Sequence, residues 1–504
     1  MSTKASCQPS AVTIRRKIGR REFLRLAGLS GAAALASACV SPTPVTAPPA
    51  ATPQVIEKPV EVTRVVTEEV VKVATATPAP TTAPAPAKAA RTVLRLQSSF
   101  PVDYPNTLVM SGEVFDDFKQ THPDFTVEVN FVDVPDVASS FVKALAVGQA
   151  PDFFYAFESQ GTLAYGNHLY DLTDFIKGLN LWDDIYQPAK DLWTIDGKFL
   201  GVPEYYGAKC YVYRSDIWEQ VGLDPEKFPT TWEEFQNAAI KLTKKGERDG
   251  FSAYEDGALS FEYLISHIHQ NEGGEYETAD VLAPAAINKP EAKEAFTWFV
   301  DLVRKYKVMS KEGSVAPAGA QTLLDGYAGV EYQGPWWVPQ RRAVRPELFD
   351  QGLIRVGAPL TRKVQLGHLD ASGWGVNVHT EILPDVLDFV KTFLKDEHYS
   401  HYFDATSADG QTVFRQPSGR RSINENPNFW IAKEPLISQT AFLKAFDMGM
   451  STARTHLGFN EVRNYVYPRM CEQAIYEVKD DQAILDAAAA QMDAITNRTR
   501  AELE

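Results

Sequence analysis

A regular alternation of strand and helix patterns begins with TVLRLQSSF, residues 92–100, a short apolar run typical of a strand. SGEVFDDFKQTHPDF (111–125) then has the amphipathic spacing of a helix, and TVEVNFVDV (126–134) alternates apolar and polar residues like a half-buried strand. ASSFVKALAVGQAPDFFYA (138–156) reads as a helix followed by another strand. This order predicts an α/β fold with a mostly parallel sheet.

The part of the chain that follows residue 90 is long enough for two domains, because domains of about 100–200 residues are the norm. TTWEEFQNAAIKLTKKG (230–246) predicts a helix with Thr231 as its N-cap and an end at Gly246. Further amphipathic helices are predicted at 290–308 and 383–403, and the chain ends in a predicted helix at 472–498.

Residues 1–38 resemble an export signal rather than part of a fold. A basic leader carries Arg20 and Arg21, as in twin-arginine signals, and a short apolar run of small residues follows it. The run ends in LASAC, which resembles a lipoprotein cleavage site and predicts Cys39 as the lipidated N-terminus. The alternative is ordinary cleavage near Ala38, which would release a soluble protein.

Residues 39–90 are rich in Pro, Ala and Thr and contain no aromatic residue and no glycine. Such a segment cannot bury enough apolar surface to offset its chain entropy, so it is predicted to be a disordered linker. Behind a lipid anchor, it would hold the folded body away from the membrane. We therefore expect the working part of the chain at the extracellular face of the cytoplasmic membrane.

The charge of the chain excludes nucleic acid as a partner. The formal net charge is −15, and removal of residues 1–38, with seven basic residues and one acidic residue, takes it to about −21. Nucleic-acid affinity rests on Lys and Arg contacts to phosphate. After Cys39, only Cys210 and Cys471 remain, and they read as either two isolated buried thiols or one disulfide.

Common catalytic and metal motifs are missing from the sequence. GxxxxGK[ST], HExxH and GxSxG do not occur, which argues against a P-loop nucleotidase, a zinc peptidase and a serine hydrolase. The pairs His267/His269 and His398/His401 have metal-like spacing but are expected to be surface or helix histidines. No metal and no cofactor are predicted. A glycosidase stays open, since its two carboxylates need not be close in sequence.

Four blocks of sequence resemble the extracellular solute-binding proteins of ABC importers, in the branch that includes maltose-binding protein. The blocks are APDFFYAFESQGTLAYGNHLYDLTDFI (150–176), the GVP…TW block (196–235), LLDGYAGVEYQGPWWVP (323–339) and ASGWGVNVHTEILPDVLDFVKTFL (371–394). They follow the family's order and spacing behind a lipoprotein-like leader. The resemblance covers nearly all of residues 92–504.

This resemblance implies a two-lobed, periplasmic-binding-protein-like α/β fold with a hinge and an interlobe cleft. By analogy, the first lobe takes residues 91–206 plus 358–403, and the second takes 207–357 plus 404–504. Closure of two such lobes on a ligand is a hinge motion. The chain would cross between them near residues 203–208, at the floor of the cleft.

The resemblance also nominates ligand-binding residues. Sugars offer hydroxyls that pair with carboxylates and C–H faces that pack on aromatic rings. Trp336 of the GPW motif is expected to face the sugar, and the neighbouring Trp337 either extends that platform or packs behind it. The full set is Glu158, Ser159, Tyr205, Tyr206, Trp336, Trp337 and Trp374. Each aromatic residue in it would also fit a packing role.

The function implied is capture of a carbohydrate and its delivery to a membrane permease driven by a separate ATPase, by a monomeric protein that is not an enzyme. Two alternatives stay open. One is a secreted carbohydrate-active enzyme, and the other is the same fold binding glycerol phosphate or peptide. The loop 411–429, with Arg415, Arg420 and Arg421, could meet an anionic ligand or be a solvated patch of the second lobe.

Overall fold

The computed structural model describes residues 91–255, 258–259, 261–311, 313–318, 320–410, 412–438, 441–448, 455–477 and 479–504. The predicted export signal, Cys39 and the predicted linker lie outside these residues. In the part described, no helix is long and apolar enough to cross a membrane.

Fourteen strands lie in the described residues. They are β1 Val93–Ser98, β2 Thr126–Phe131, β3 Phe153–Tyr155, β4 Thr194–Ile195, β5 Lys198–Phe199, β6 Val202–Ala208, β7 Cys210–Arg214, β8 Tyr254–Glu255, β9 Ala258–Leu259, β10 Val330–Gln333, β11 Ile354–Gly357, β12 Leu369–Val376, β13 Asp404–Thr406 and β14 Val413–Arg415.

Two sheets dominate the fold. The first has the order β2-β1-β3-β12-β6, and the second has the order β10-β7-β11. The predicted strands β1, β2 and β3 are confirmed and run parallel to one another. The sheet is nevertheless mixed, since β12 pairs antiparallel with both β3 and β6. The prediction of a mostly parallel sheet therefore holds for its first three strands only.

Helices cover both sheets. They are α1 Pro105–Val109, α2 Phe115–Phe118, α3 Val137–Ala146, α4 Gln160–Tyr165, α5 Thr173–Gly178, α6 Gln187–Trp193, α7 Ser215–Gln220, α8 Trp232–Leu242, α9 Phe261–Gln270, α10 Pro290–Arg304, α11 Trp337–Val344, α12 Pro346–Asp350, α13 Leu383–Phe393, α14 Asp396–Tyr402, α15 Arg421–Asn424, α16 Trp430–Lys433, α17 Pro435–Ser438, α18 Ala441–Ala445, α19 Phe459–Glu461, α20 Tyr467–Glu472 and α21 Asp481–Leu503.

Helix α8 begins as the sequence predicts. The Thr231 side chain accepts from the Glu234 N–H, and the Glu234 side chain accepts from the Thr231 N–H, which forms a capping box. The helix ends at Leu242 rather than at the predicted Gly246. Thr243 has extended backbone angles, so the chain leaves the helix there, and its hydroxyl and its N–H both donate to the carbonyl of Ala239.

Two hydrophobic cores correspond to two lobes. The first surrounds the five-stranded sheet with residues such as Leu96, Phe153 and Phe393, and the second gathers Trp232 and Phe299 around the three-stranded sheet. Strand β7 contributes to both cores, because Cys210 and Val212 point to one core while Tyr211 and Tyr213 point to the other. The α/β fold with two lobes is thus present.

The first core also takes in residues from beyond the predicted lobe boundary at residue 404. Ala405, Phe414 and Phe446 are buried in it, and so are Trp337 and Ile354 from the segment predicted for the second lobe. The second core includes Phe459 and later residues. Because the first core draws on both predicted lobes, the lobe boundaries stay a prediction.

The loop 411–429, for which the sequence left a solvated patch open, is exposed in only part of its described residues. Ser418, Arg420 and Ile423 are buried. The Arg420 guanidinium lies 2.7 Å from both Asp184 and Asp396, so it joins elements of the first lobe instead of meeting solvent. Cys210 and Cys471 are buried free thiols, and the disulfide alternative is not formed.

Candidate functional site

The two lobes meet where the chain passes from one sheet to the other. A single residue, Lys209, separates β6 of the first sheet from β7 of the second. Its backbone N–H donates to the carbonyl of His368 at 2.8 Å, and His368 directly precedes β12. The two segments that connect the sheets therefore lie side by side. One leaves the first sheet at Lys209, and the other returns to it at His368.

Charged side chains from both lobes join next to these crossings. The Lys209 ammonium pairs with Glu262 of α9. Arg463 lies 3.8 Å from the same carboxylate and 3.4 Å from the carboxylate of Glu158, which follows β3 in the first lobe. Glu158 and Glu262 are buried. Pairing with a cationic side chain offsets part of the free energy that burial of a carboxylate away from water costs.

The backbone at both ends of this ion-pair chain is unusual. Glu158 has φ of +60°, a left-handed conformation that costs a non-glycine residue free energy. Arg463 lies on a π-helical turn, Val462–Val466, within an otherwise α-helical segment. Such turns often mark functional positions, because they redirect side chains that a regular helix would place elsewhere. An uncommon backbone conformation is thus found on each side of the cleft, at the two residues whose charges meet.

His368 and Asp370 extend the charged cluster. The His368 Nε2 atom lies 3.6 Å from Glu262 and 3.5 Å from Asp370, and all three residues are buried. Their ligand atoms are close enough together to hold a metal ion. Lys209 and Arg463 already bring positive charge to Glu262, however, which gives the cluster the character of an ion-pair network.

The histidine pairs noted in the sequence lie in separate local contacts. His267 is buried beside the backbone carbonyl of Tyr263, and burial lowers its pKa to about 3. His398 pairs with carboxylates of the first lobe, Glu113 and Asp117, at 2.7 and 2.9 Å. His267 and His398 thus each make their contacts within their own lobe.

Trp336 lies at the seam between the lobes. Its ring receives the edge of Tyr205 at a centroid distance of 4.9 Å, and the Lys209 ammonium lies 5.4 Å from its centroid. Trp336 is only partly buried, whereas Tyr205 is buried. The structure therefore brings together Trp336, from the segment after β10, and Tyr205, from β6, as an aromatic corner at the crossing.

Trp337 has different surroundings from its neighbour. Helix α11 begins at Trp337, so the two rings leave the backbone in different directions. Trp337 is buried and packs 6.2 Å from Phe349. Pro339 lies in the first turn of α11, where the N–H it lacks would have no helical partner, which explains why the helix tolerates it.

Tyr206 and Trp374 lie inside the first core. Tyr206 stacks on Tyr186 at 4.4 Å, and Trp374 stacks on Phe153 at 5.1 Å. Trp374 is 2% exposed and Tyr206 is fully buried. In this conformation neither ring is open to a ligand, so the ligand contact predicted for each of them stays a prediction.

Glu158 and Ser159 face the second lobe, at the edge of the first. The Ser159 hydroxyl lies 3.3 Å from the side-chain nitrogen of Asn460. Next to them, Gly161 lies so close to residue 455 that an added Cβ would be 1.7 Å from the Thr455 carbonyl oxygen. Only glycine allows the two segments to approach this far.

Sequence reasoning missed most of the charged residues of the site. Glu262 and Arg463 lie outside the four sequence blocks, Lys209 lies inside one without a role of its own, and the partners of all three are far away in the sequence. Lys209 could have been predicted to lie at the site, because it directly follows the segment 203–208, where the chain was expected to cross between the lobes. Glu204 of β6 was missed too: its carboxyl accepts from Ser372 at 2.8 Å and from Tyr402, and burial raises its pKa to about 7.

A family model described as bacterial extracellular solute-binding protein matches residues 113–408, more than half of the chain. The chain belongs to this family. Membership agrees with the resemblance of the four sequence blocks, and it identifies the chain as an exported protein, since the family is extracellular.

Individual relatives are more distant. The maltotriose-binding protein of Pyrococcus abyssi is 24% identical over 237 residues, which make up 46% of this chain and 48% of that protein. The sn-glycerol-3-phosphate-binding periplasmic protein UgpB of Salmonella typhimurium is 25% identical over 186 residues, or 34% of this chain and 42% of the relative. The chain thus spans about half the length of the curated relatives it matches.

Solved structures of the family share the fold along most of its length. The sugar-binding protein MalE from Xanthomonas citri superposes with a TM-score of 0.66 and 17% identity, covering 81% of this chain and 98% of that one. At this identity the likeness shows the fold alone. It confirms the prediction of a two-lobed solute-binding fold.

Proposed function

We propose that the chain captures a carbohydrate between its two lobes and delivers it to an ABC permease powered by a separate ATPase. The observation that carries this proposal is the aromatic corner of Trp336 and Tyr205 at the interlobe crossing. A partly exposed indole ring beside buried carboxylates offers both halves of sugar recognition: a face for C–H groups, and acceptors for hydroxyls.

The proposed binding set is Trp336, Tyr205, Glu158 and Ser159, to which the structure adds Lys209 and Arg463. These side chains come from both lobes and lie beside the crossing strands, so a ligand among them would touch both lobes at once. Such a ligand favours the closed arrangement through its differential contacts with the closed state. The binding set would be held in position by three buried rings that pack behind it, those of Trp337, Tyr206 and Trp374.

The site supports binding better than hydrolysis. The carboxylates of Glu158 and Glu262 are each held close to a cationic side chain. Both carboxylates are thus engaged in ion pairs, as in a site that holds a polar ligand by charge and hydrogen bonds. A chain that binds oligosaccharides and leaves them intact is what we expect.

The anchor and the partners complete the proposal. Cys39 would carry the lipid that tethers the protein to the outer face of the cytoplasmic membrane, residues 39–90 would act as the tether, and a single copy would serve the permease. Mass spectrometry of the membrane-bound protein tests the anchor. A diacylated N-terminal peptide starting at Cys39 is expected, and an unmodified one would remove the anchor from the proposal.

A thermal-shift screen tests the function. A panel of mono- and oligosaccharides, with sn-glycerol 3-phosphate and a short peptide mixture as the non-sugar arms, is added to the purified protein. A ligand that binds only the folded state raises the apparent melting temperature by mass action. Stabilisation by a sugar is expected. Stabilisation by the phosphate or peptide arm alone would replace carbohydrate with that class, and release of smaller sugars on incubation would replace binding with catalysis.

The site assignment needs its own variants. Trp336→Ala is expected to weaken binding of the stabilising sugar at least about tenfold, a loss of 1.4 kcal/mol. Trp182→Ala serves as the control, because Trp182 lies in the first lobe against Phe199, away from the crossing. An unchanged affinity in Trp336→Ala would mean that the sugar binds elsewhere.

A further inference from the structure

A small polar cavity of about 200 Å³ lies beside Trp337, the second residue of the tryptophan doublet. Its walls come from strand β10, from helix α11 and from the loop at residues 320–324. Glu331, Trp337, Arg341, Gln321 and Thr322 supply most of its chemistry. The mechanism of capture described above uses none of these side chains directly.

Regular geometry places these groups on one side. Glu331 and Gln333 are two residues apart on β10, so they share a face of the strand, while Tyr332 between them packs in the second core. Trp337 and Arg341 are four residues apart on α11 and share a face of the helix. A strand face and a helix face therefore line the same space.

One wall of the cavity carries a hydrogen-bond acceptor that is held in a fixed position, the carboxylate of Glu331. The Glu331 carboxylate is buried and accepts from the Leu323 N–H at 2.9 Å, from the Gln333 side chain at 3.3 Å and from the indole N–H of Trp337. A carboxylate has about four acceptor positions, so about one position is left for a ligand. Burial also raises the pKa of Glu331.

The opposite wall of the cavity carries a hydrogen-bond donor, the guanidinium of Arg341. Arg341 lines the cavity, and its positive charge acts on the Glu331 carboxylate of the other wall. Its neighbour Arg342, by contrast, pairs with Asp350 and Glu434. Gln321 and Thr322 add an amide and a hydroxyl beside Arg341.

This combination selects the chemistry of a ligand. Glu331 and Arg341 offset each other's charge, so the cavity favours neither an anion nor a cation, and an apolar molecule would leave both walls desolvated without partners. A molecule with several neutral hydroxyls satisfies acceptor and donor together. The volume lies below the roughly 300–1,000 Å³ of sites for drug-sized ligands, so there is room for one small ring.

We propose that this cavity binds one neutral sugar ring, or a polyol of similar size, at a site separate from the interlobe cleft. Trp336 would then serve the cleft, and Trp337 would form a wall of the second site. The two neighbouring tryptophans would then belong to two different binding sites.

Isothermal titration calorimetry tests the proposal with a defined panel of glucose, galactose, mannose, xylose, sorbitol and glycerol. We expect at least one of them to bind the wild type with a Kd tighter than about 1 mM. Arg341→Met and the isosteric Glu331→Gln should each weaken that binding at least about tenfold. Arg342→Met is the matched control, on the same helix but outside the cavity, and should bind within about twofold of the wild type.

Each other outcome overturns the proposal. Absence of binding across the panel would mean that the cavity holds water only. A hit that loses affinity in Trp336→Ala but keeps it in Arg341→Met would lie in the cleft, which supports the proposed function and overturns this inference alone. Arg341 is partly exposed, so Arg341→Met is expected to fold even if the buried Glu331→Gln does not.

Discussion

The Arg463 guanidinium lies 3.4 Å from the Glu158 carboxylate, and these two residues belong to different lobes. Arg463 also reaches Glu262, at 3.8 Å. One partly exposed arginine thus bridges two buried carboxylates, one on each side of the cleft. The interaction ties the position of the lobes to the charge state of the site.

Arg463→Met should destabilise the protein by about 1–3 kcal/mol, because it leaves the two carboxylates with fewer partners in a poorly solvated place. Urea denaturation measures the change. In a double-mutant cycle, Glu158→Gln and Arg463→Met should be coupled by at least about 0.5 kcal/mol. Arg469→Met, an exposed arginine on α20, is the control. Additive effects of the first two variants would show that the contact carries no energy.

Gly161→Ala should keep the lobes from closing fully. The new Cβ would meet the backbone of Thr455 at 1.7 Å, and a backbone carbonyl cannot rotate away as a side chain could. We expect a larger radius of gyration by small-angle X-ray scattering and a carbohydrate affinity at least about tenfold weaker. Gly178→Ala is the control, since an added Cβ there meets nothing within 4 Å. A closed, fully active Gly161→Ala would place the closure contact elsewhere.

Glu204 should make stability depend on pH. Burial raises its pKa from 4.5 to about 7, so between these values the folded protein holds a proton that the unfolded chain releases. The stabilising effect is present in full below pH 4.5 and is lost as the pH rises to 7. The loss is on the order of 3 kcal/mol.

Melting curves from pH 4.5 to pH 8 measure this effect. Glu204→Gln, which mimics the protonated acid, should remove the decline, so the difference between variant and wild type should grow with pH. His267 contributes with the opposite sign, because burial lowers its pKa to about 3 and the folded protein gains stability as the pH rises. Comparing two proteins that both contain His267 cancels that contribution. Parallel curves would rule out Glu204 as the titrating group.

The capping box of α8 should matter measurably. Thr231→Ala removes the oxygen that accepts from the Glu234 N–H and should cost about 1 kcal/mol, as N-cap losses typically do. Thr231→Ser keeps the oxygen and should recover most of that stability. Chemical denaturation of the three proteins gives the comparison. Equal losses in Ala and Ser would point to the methyl group of threonine instead of its cap.

Local patterns in the sequence were sufficient to predict β1, β2, β3 and the start of α8, because strand alternation and capping depend on neighbours in the chain. The packing of the apolar residues after residue 404 was harder to predict. Phe414 and Phe446 are apolar residues whose sequence surroundings do not say which core will bury them. Only their long-range packing places them in the first core.

The candidate site shows the same division. Trp336 was predicted because a short motif carries it, and the structure places it at the crossing beside Tyr205. Arg463 was not predictable, since its partners Glu158 and Glu262 are hundreds of residues away and meet it only in the folded chain. The role of Trp337 could not be settled from the sequence, because the start of a helix decides where its ring points.

The single residue between β6 and β7 has a consequence for measurement. With only Lys209 to absorb a change in direction, any movement of the lobes must concentrate in very few backbone dihedral angles at that point. A pair of fluorophores attached far from the cleft, one on each lobe, would therefore convert a small angular change at Lys209 into a large change in their separation. The geometry makes the protein a ready scaffold for an optical sensor of its own ligand.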